Sequence, residues 1–302
     1  MHKGHSSYFI SVQIVDLYLI NMDIHTLCIC GAGTMGSGIA QAAAASGFYT
    51  ILYELNDAVL ENAQSSIEKN LQSLLEKRKI TGNAKEETLN NLKFTNNLHD
   101  CLGDVIIEAI IEKPEAKIAL FNQLAEINHS ETVFASNTSS LSITEIAKGV
   151  KNPERVIGMH FFNPATIMKL VEVINTNYTN GNTTRMTIEL VKQMNKTSVL
   201  CKDSPGFIVN RVARPYYIES LRLAEQNIAG FSTIDSIMES TGFKMGPFKL
   251  MDLIGNDINY AVSCSVYDRL DQPERLKPSQ IQEEKVERGE LGKKAGKGYY
   301  NY

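Results

Sequence analysis

The stretch ICGAGTMGSGIAQ constrains the fold of this chain more than any other part of the sequence. Gly31, Gly33 and Gly36 stand in the spacing GxGxxG, between the apolar run HTLCIC and an Ala-rich segment typical of a helix. In a dinucleotide-binding turn, the first glycine permits the tight bend, the second lets a pyrophosphate approach and the third allows close packing. The phosphates then face the helix N-terminus. A lone match of this kind is weak, so the surrounding pattern has to support it.

Strand-like and helix-like segments alternate after this turn. FYTILYEL, LKFT, DVIIEAI and TVFAS have strand composition, and helical spacing is found from Asp57 to about Lys79 and from about Pro114 to Ile127. Such alternation predicts βαβ units. The expected fold class is therefore α/β, with a Rossmann-like doubly wound, mainly parallel sheet followed by an all-helical C-terminal domain.

The character of the chain changes after Ser204. PGFIVNRVARPYYIESLRLAEQNIA indicates one long helix that begins at Pro205 and is kinked at Pro215, and further helical segments follow it. We therefore predict a Rossmann-like nucleotide-binding domain at residues 22–203 and a helical C-terminal domain at residues 204–302.

Residues 1–21 are expected to be a poorly ordered N-terminal extension. Their apolar run is interrupted by Gln13 and Asp16, which makes it too short and too polar to span a bilayer. They also lack the basic region and the cleavage site of a signal peptide. No membrane partner is expected.

Charge and cysteine content narrow the classes of partner. Thirty Lys and Arg against thirty-four Asp and Glu give a net charge of -4, so nucleic acid is not an expected partner. The five cysteines form neither an even set nor paired CxxC motifs, which favours reduced thiols in a cytoplasmic protein. Cys28 and Cys30 alternate with apolar residues in a strand-like run, so core packing is favoured over a metal site.

An acidic residue follows the second strand-like run. Glu54 comes 18 residues after Gly36, where a carboxylate can accept hydrogen bonds from a ribose diol. It would repel a 2′-phosphate, and no Arg follows it in YELND, so NAD is favoured over NADP. Thr34 and Met35 complete the predicted cofactor loop. FAD uses the same glycine fingerprint, and other residues must decide the type of hydride carrier.

Two polar residues interrupt apolar segments in IGMHFFNPATIMKLVEVINT. A turn at Asn163-Pro164 would let the chain double back and bring Glu172 near His160. A carboxylate that accepts a hydrogen bond from an imidazole sets its tautomer and stabilises the imidazolium, as in a general acid/base pair. The alternative is a core histidine and an outward-facing glutamate on an edge strand. SNTSS is not a GxSxG elbow, which disfavours a nucleophilic serine.

The sequence resembles the 3-hydroxyacyl-CoA dehydrogenase family, including its bacterial 3-hydroxybutyryl-CoA members. Six motifs in order carry the resemblance, from about Asp23 to Tyr302: GAGTMGSGIAQ, EAIIEKPEAK, ASNTSSLSITEIA, HFFNPATIMKLVEVI, DSPGFIVNR and MGPFKLMDLIGND. The resemblance implies that His160 is the catalytic base in the oxidative direction and that Glu172 is its partner. It also implies that Ser139 and Asn210 hydrogen-bond the substrate around the reacting oxygen and the thioester.

The resemblance implies further contacts to cofactor and coenzyme A. Asn163 would help to position substrate and nicotinamide, with Ser139 beside both. Glu112 and Lys117 would line the cofactor pocket, although an exposed helix lysine is the alternative for Lys117. Lys77 matches a lysine that contacts coenzyme A, while a family serine on that helix is replaced here by Asn70.

The expected function is the reversible, NAD-dependent oxidation of an (S)-3-hydroxyacyl-CoA of short chain, such as 3-hydroxybutyryl-CoA, in fatty acid β-oxidation. A homodimer through the helical domain is implied by the resemblance. Two alternatives stay open. One is a 3-hydroxyadipyl-CoA dehydrogenase of aromatic-acid degradation, and the other is a non-enzymatic NAD-sensing or structural protein on the same fold.

Overall fold

The computed structural model describes residues 24–302, and the predicted extension at residues 1–21 lies outside the described residues. Within the described range the chain forms eight strands: β1 (Thr26–Cys30), β2 (Tyr49–Tyr53), β3 (Leu92–Thr95), β4 (Val105–Glu108), β5 (Val133–Ser136), β6 (Val156–Phe161), β7 (Leu170–Asn175) and β8 (Thr197–Lys202). The helices of the same range are α1 (Thr34–Ala45), α2 (Asp57–Glu76), α3 (Gly82–Asn90), α4 (Pro114–Ile127), α5 (Ile143–Lys148), α6 (Gly181–Gln193), α7 (Val209–Glu225), α8 (Phe231–Ser240), α9 (Pro247–Ile254), α10 (Asn256–Asp268) and α11 (Gln280–Glu287).

The eight strands form one sheet in the order β3-β2-β1-β4-β5-β6-β7-β8. Every neighbouring pair is parallel except β6 and β7. Two apolar clusters, one on each face, separate the sheet from its helices, so the central strands are continuous apolar runs. The order reverses between β1 and β4, and a ligand crevice is expected at the carboxyl ends of these strands. The predicted Rossmann-like class is confirmed.

Local signals account for the first helices. The Asn56 side chain caps α2 by accepting from the Val59 amide at 3.2 Å, and Pro114 occupies the first turn of α4, where no amide donor is needed. α4 has the predicted bounds. α2 ends three residues before the predicted Lys79, because Arg78 takes a left-handed conformation with φ of 54°.

Four elements were not predicted from the sequence, namely α3, α5, α6 and β8. α6 buries two threonines on its inner face and α5 is only six residues long, so the composition of α6 and the length of α5 are atypical of a helix. Among residues 24–302, β8 pairs with β7 alone, and it is largely exposed, so it lacks the apolar run of a buried strand.

The predicted start of the long C-terminal helix is wrong. α7 begins at Val209 rather than Pro205, because Gly206 and Phe207 both have positive φ, of 72° and 49°. The left-handed pair turns the chain before the helix starts, and it leaves the amides of Ile208 and Val209 without helical partners. Pro215 lies inside α7 as predicted.

The chain is helical from α7 onward. Its terminal segment is held by the buried Asp252 of α9, which accepts hydrogen bonds from the amides of Tyr299 and Tyr300, both at 3.0 Å. A search for membrane-spanning segments over residues 24–302 finds no helix with the length and apolar character to cross a bilayer.

Candidate active site

The glycine loop has three distinct steric environments. Gly31 has φ of 100°, and a Cβ there would lie 2.7 Å from the Ala109 carbonyl oxygen. A Cβ on Gly36 would lie 1.7 Å from the Gly31 carbonyl oxygen, so the start of α1 can pack on the loop only without a side chain. A Cβ on Gly33 would meet nothing within 4 Å. That open space is where a pyrophosphate can approach the backbone.

Alanine substitutions should separate these roles. Gly36→Ala is expected to destabilise the protein by about 2–3 kcal/mol, because the methyl group overlaps backbone that cannot move freely. Gly33→Ala should leave the unfolding free energy within about 1 kcal/mol of wild type. It should nevertheless weaken NADH binding at least about tenfold, since the methyl group occupies the phosphate space. Thermal unfolding and NADH fluorescence titration measure the two quantities, and equal NADH affinity in wild type and Gly33→Ala would refute the assigned space.

Glu54 lies at the carboxyl end of the second strand, beside the glycine loop. One carboxylate oxygen accepts from the Ala32 amide at 3.1 Å and the other accepts from the Asn56 amide at 3.2 Å. Thr34 and Met35 open α1, where the first amides of a helix have no helical acceptor. An open phosphate space, free helix amides and an adjacent carboxylate are the groups that a dinucleotide with a free ribose diol requires, so these residues fit NAD.

His160 and Glu172 are directly opposite each other on the antiparallel pair β6 and β7. The imidazole Nδ1 lies 2.7 Å from Glu172 Oε2, and His160 is 6% exposed while Glu172 is fully buried. The turn after β6 therefore brings the two side chains together, as the sequence predicts. The interpretation of Glu172 as an outward-facing edge residue is wrong.

The second carboxylate oxygen of Glu172 binds the start of α7. Oε1 accepts from the amides of Ile208 and Val209 at 2.9 and 2.8 Å. Burial on its own would raise the pKa of Glu172, but the hydrogen bonds from His160 and these amides outweigh it and hold the pKa below its usual value. Glu172 is thus an ionised, fully hydrogen-bonded acceptor, and it ties the sheet to the helical part of the chain.

His160 lies beside two aromatic rings, and a hydrogen bond at the next residue links its strand to a neighbouring loop. The rings of Phe162 and Phe207 lie 4.6 and 5.7 Å from the imidazole centroid. The Phe161 amide donates to the Asn137 side chain at 2.9 Å, which joins the SNTSS loop to β6. Asn210 follows Val209 at the start of α7. The loop that contains Ser139 and the helix turn that contains Asn210 therefore both adjoin the His160–Glu172 pair.

The SNTSS loop is held from both sides. Glu112 accepts hydrogen bonds from the side chains of Thr138 and Ser140, the latter at 2.9 Å. Burial opposes ionisation of Glu112, but Lys117 and the two hydroxyls hold its pKa below the usual value. From the helical part, Arg269 donates to the Ser140 carbonyl oxygen at 2.5 Å. Ser139 lies between these two anchored residues.

Lys117 is buried rather than exposed, which rules out the alternative of an ordinary surface lysine. Its Nζ lies 2.7 Å from Glu108 Oε2 and 3.2 Å from Glu112 Oε2. Burial raises the pKa of Glu108, although Lys117 and the Ser136 hydroxyl oppose the shift. Sequence reasoning did not single out Glu108. The signal was available, because a carboxylate that ends a buried strand requires a partner.

A cleft of about 410 Å³, lined by both polar and apolar groups, opens between the glycine loop, α2 and the turn after β6. Its lining includes Gly33, Thr34, Asn70 and Asn163. Asn70 donates to Gln41 at 2.8 Å. Lys77 is exposed at the end of α2 and is not among the lining residues, so the structure brings together Asn163 and Asn70 but leaves Lys77 apart.

A second cleft, of about 710 Å³, lies along the start of α7 and is mostly apolar. It begins at Ile208 and Val209, whose amides bind Glu172. Its wall includes Val212, Phe243 and Leu253, all at least half exposed, and Lys244. An apolar cleft that begins beside the His160–Glu172 pair is suited to an acyl chain or to a partner surface.

Two family models match the chain. The NAD binding domain of 3-hydroxyacyl-CoA dehydrogenase matches residues 26–204, and the C-terminal domain of the same family matches residues 206–302. The two matches meet beside the predicted domain boundary. Together they account for almost all of the described residues.

Individual relatives agree with the family models. A 3-hydroxyadipyl-CoA dehydrogenase of Escherichia coli is 44% identical over 93% of this chain, which spans only 60% of that relative's length. A mitochondrial hydroxyacyl-coenzyme A dehydrogenase of Rattus norvegicus is 38% identical over 92% of this chain and 91% of its own. The crystal structure of an (S)-3-hydroxybutyryl-CoA dehydrogenase from Ralstonia eutropha superposes with a TM-score of 0.88 at 35% identity, covering 93% of this chain and 99% of that one.

Proposed function

The chain belongs to the 3-hydroxyacyl-CoA dehydrogenase family, and from this premise we propose that it oxidises a short-chain (S)-3-hydroxyacyl-CoA, such as 3-hydroxybutyryl-CoA, to the 3-ketoacyl-CoA. The single observation that carries the mechanism is the 2.7 Å contact between His160 Nδ1 and Glu172 Oε2. The family matches support NAD as the cofactor.

His160 acts as the base in the oxidative direction. Its Nδ1 proton is held by Glu172, so Nε2 is free to accept the proton of the C3 hydroxyl, and Glu172 stabilises the imidazolium that results. NAD, when bound, supplies the hydride acceptor. Ser139, in the loop joined to β6 through Asn137, and Asn210, at the start of α7, orient the substrate oxygens, and Asn163 in the 410 Å³ cleft positions the substrate. In the reverse direction His160 returns the proton.

The loop of Ser139 needs support because it must present one hydroxyl at a defined position. The Glu112 hydrogen bonds, the Lys117 ion pairs and the Arg269 contact supply that support from three elements. Lys117 therefore acts in this proposal by holding Glu112 and Glu108, and through them the cofactor side of the pocket. Lys77 remains the proposed contact for coenzyme A phosphates, at the surface end of α2.

The direct test is acetoacetyl-CoA-dependent oxidation of NADH by the purified protein. Turnover within the range typical of enzymes, about 1–10³ per second, supports the proposal. Normal NADH binding without turnover would instead favour the non-enzymatic NAD-sensing alternative.

Substrate choice is tested by comparing kcat/KM for 3-hydroxybutyryl-CoA and 3-hydroxyadipyl-CoA. The apolar cleft at Val209 favours an uncharged acyl chain, because a terminal carboxylate would lose its hydration there. We expect the butyryl thioester to be preferred by at least about tenfold. The similarity to the 3-hydroxyadipyl-CoA dehydrogenase of Escherichia coli makes the dicarboxylate thioester, 3-hydroxyadipyl-CoA, the second candidate substrate. If kcat/KM is instead higher for the adipyl thioester, the terminal carboxylate needs a cation, and Lys244 lines that cleft. Lys244→Met should then abolish the preference for the adipyl thioester.

A homodimer through the helical part completes the proposal. Ile228, Ile237 and Ile258 are exposed apolar side chains there that do not line the apolar cleft, and a second copy of the chain would remove them from water. Light scattering should give twice the mass of one chain, and a monomer at assay concentration would contradict the dimer.

All five cysteines are free, as expected in the reducing cytoplasm, which is the location we propose.

A further inference from the structure

Three buried sulfur atoms lie together beneath the cofactor loop, and the proposed reaction uses none of them. Cys28 and Cys30 point to the same face of β1, with their sulfurs 3.9 Å apart. Cys101 follows a short 3-10 turn, Leu98–Asp100, and its sulfur joins them, so that all three lie within 4.8 Å of one another. Each residue is fully buried.

The three sulfurs are close enough to bind one central atom after small side-chain movements. Trivalent arsenic keeps a lone pair and binds three sulfurs as a pyramid, so bonds of about 2.3 Å place the sulfurs about 3.5 Å apart. The Cys28 and Cys30 sulfurs are 3.9 Å apart and no pair of the three exceeds 4.8 Å, so small side-chain movements would bring all three to this spacing. We propose that Cys28, Cys30 and Cys101 form a binding site for a trivalent thiophilic centre, with trivalent arsenic as its ligand.

The net charge of the occupied site favours a trivalent centre. The three sulfurs belong to an apolar cluster with Ile51, Phe134 and others. Three thiolates around monovalent copper or zinc would leave a net negative charge in that cluster, which is costly. Trivalent arsenic with three thiolates is neutral. Zinc also takes four ligands almost always, whereas the described residues supply three at this place.

The exchange balances without any redox step. Arsenous acid loses its three hydroxyl groups, each of the three thiols loses its proton, three As–S bonds form and three waters leave. The oxidation state of arsenic does not change.

The site has a route to solvent and a link to the cofactor loop. The turn before Cys101 lies at the surface, and Leu102 directly after it is 50% exposed, so local opening of this segment uncovers the sulfur. Cys30 directly precedes Gly31, whose amide donates to the Tyr53 carbonyl oxygen at 2.8 Å. Drawing Cys30 toward a common centre shifts the loop, and occupancy should weaken NADH binding.

The test uses sodium arsenite with the full chain, reduced by a phosphine and desalted. We expect one arsenic atom per chain after gel filtration and three sulfur neighbours in the arsenic X-ray absorption spectrum. NADH affinity of the arsenic-bound protein should fall about tenfold, within the usual range of coupling between two sites. No retained arsenic, or fewer than three sulfur neighbours, would overturn the site, and an unchanged NADH affinity would overturn the coupling.

Variants provide the controls. Cys101→Ala and, separately, Cys30→Ala should lose arsenic binding at least about tenfold, since each removes one of three bonds. Cys264→Ala, at a half-buried thiol outside the cluster, should bind like wild type. Thermal unfolding establishes that each variant is folded, and two cysteine positions are tested so that one unstable variant does not decide the outcome. Arsenic retained by both cluster variants, or zinc sulfate bound as tightly as arsenite, would overturn the proposal.

Discussion

Replacing His160 with Gln should lower kcat for acetoacetyl-CoA reduction by about 10²–10⁴-fold, the usual contribution of a positioned general acid or base. Glutamine cannot take up or release a proton at neutral pH, and it is close to histidine in size. It can still occupy the space between Phe162 and Phe207. NADH affinity should stay within a factor of about two, since His160 lies outside the glycine loop. Steady-state rates with NADH fluorescence titration measure both quantities.

A control substitution at a second histidine shows whether a fall in kcat is specific to His160. His129 is exposed, and His129→Gln removes the same imidazole chemistry far from Glu172. Its kcat should equal that of wild type. Near-wild-type turnover in His160→Gln, with the fold verified by thermal unfolding, would contradict the role of His160 as general acid/base. The family assignment would be unaffected.

The doubly wound part of the fold could be predicted because its signals are local. Buried parallel strands such as β1 and β4 are apolar runs, and α4 has a proline at its start and an apolar face. The His160–Glu172 pair was also predictable, since a turn between two strands brings residues on opposite arms together.

Contacts that depend on several elements could not be predicted. Lys117 meets Glu108 only because α4 packs back over the end of β4, and nothing in the local pattern gives that geometry. The start of α7 was missed because left-handed backbone at Phe207, a non-glycine residue, has no composition signal. Cys101 lies 71 positions after Cys30, and only the packing of the 3-10 turn against β1 brings their sulfurs together.

We also expect a large fall in kcat for Glu172→Gln, and this expectation follows from the direction of the hydrogen bonds around residue 172. Oε1 accepts from two backbone amides, of Ile208 and Val209, which are obligatory donors. The glutamine carbonyl must therefore face these amides, and its NH₂ group must face His160. That NH₂ can only donate, so Nδ1 becomes an acceptor and the neutral imidazole carries its proton on Nε2. Nε2 can then no longer accept the substrate proton.

The tautomer change should lower kcat by about 10²–10⁴-fold, as removal of the base itself would. Because the amides keep their acceptor, the unfolding free energy should change little in Glu172→Gln. In Glu172→Ala they lose it, and about 1–3 kcal/mol of stability should be lost as well. Imidazole ¹⁵N shifts of His160 report the tautomer directly, and Glu145→Gln, at an exposed carboxylate on α5, is the charge-matched control. An Nδ1-protonated imidazole together with a slow Glu172→Gln enzyme would contradict the tautomer argument, because Nε2 would then be free and the rate should have been preserved.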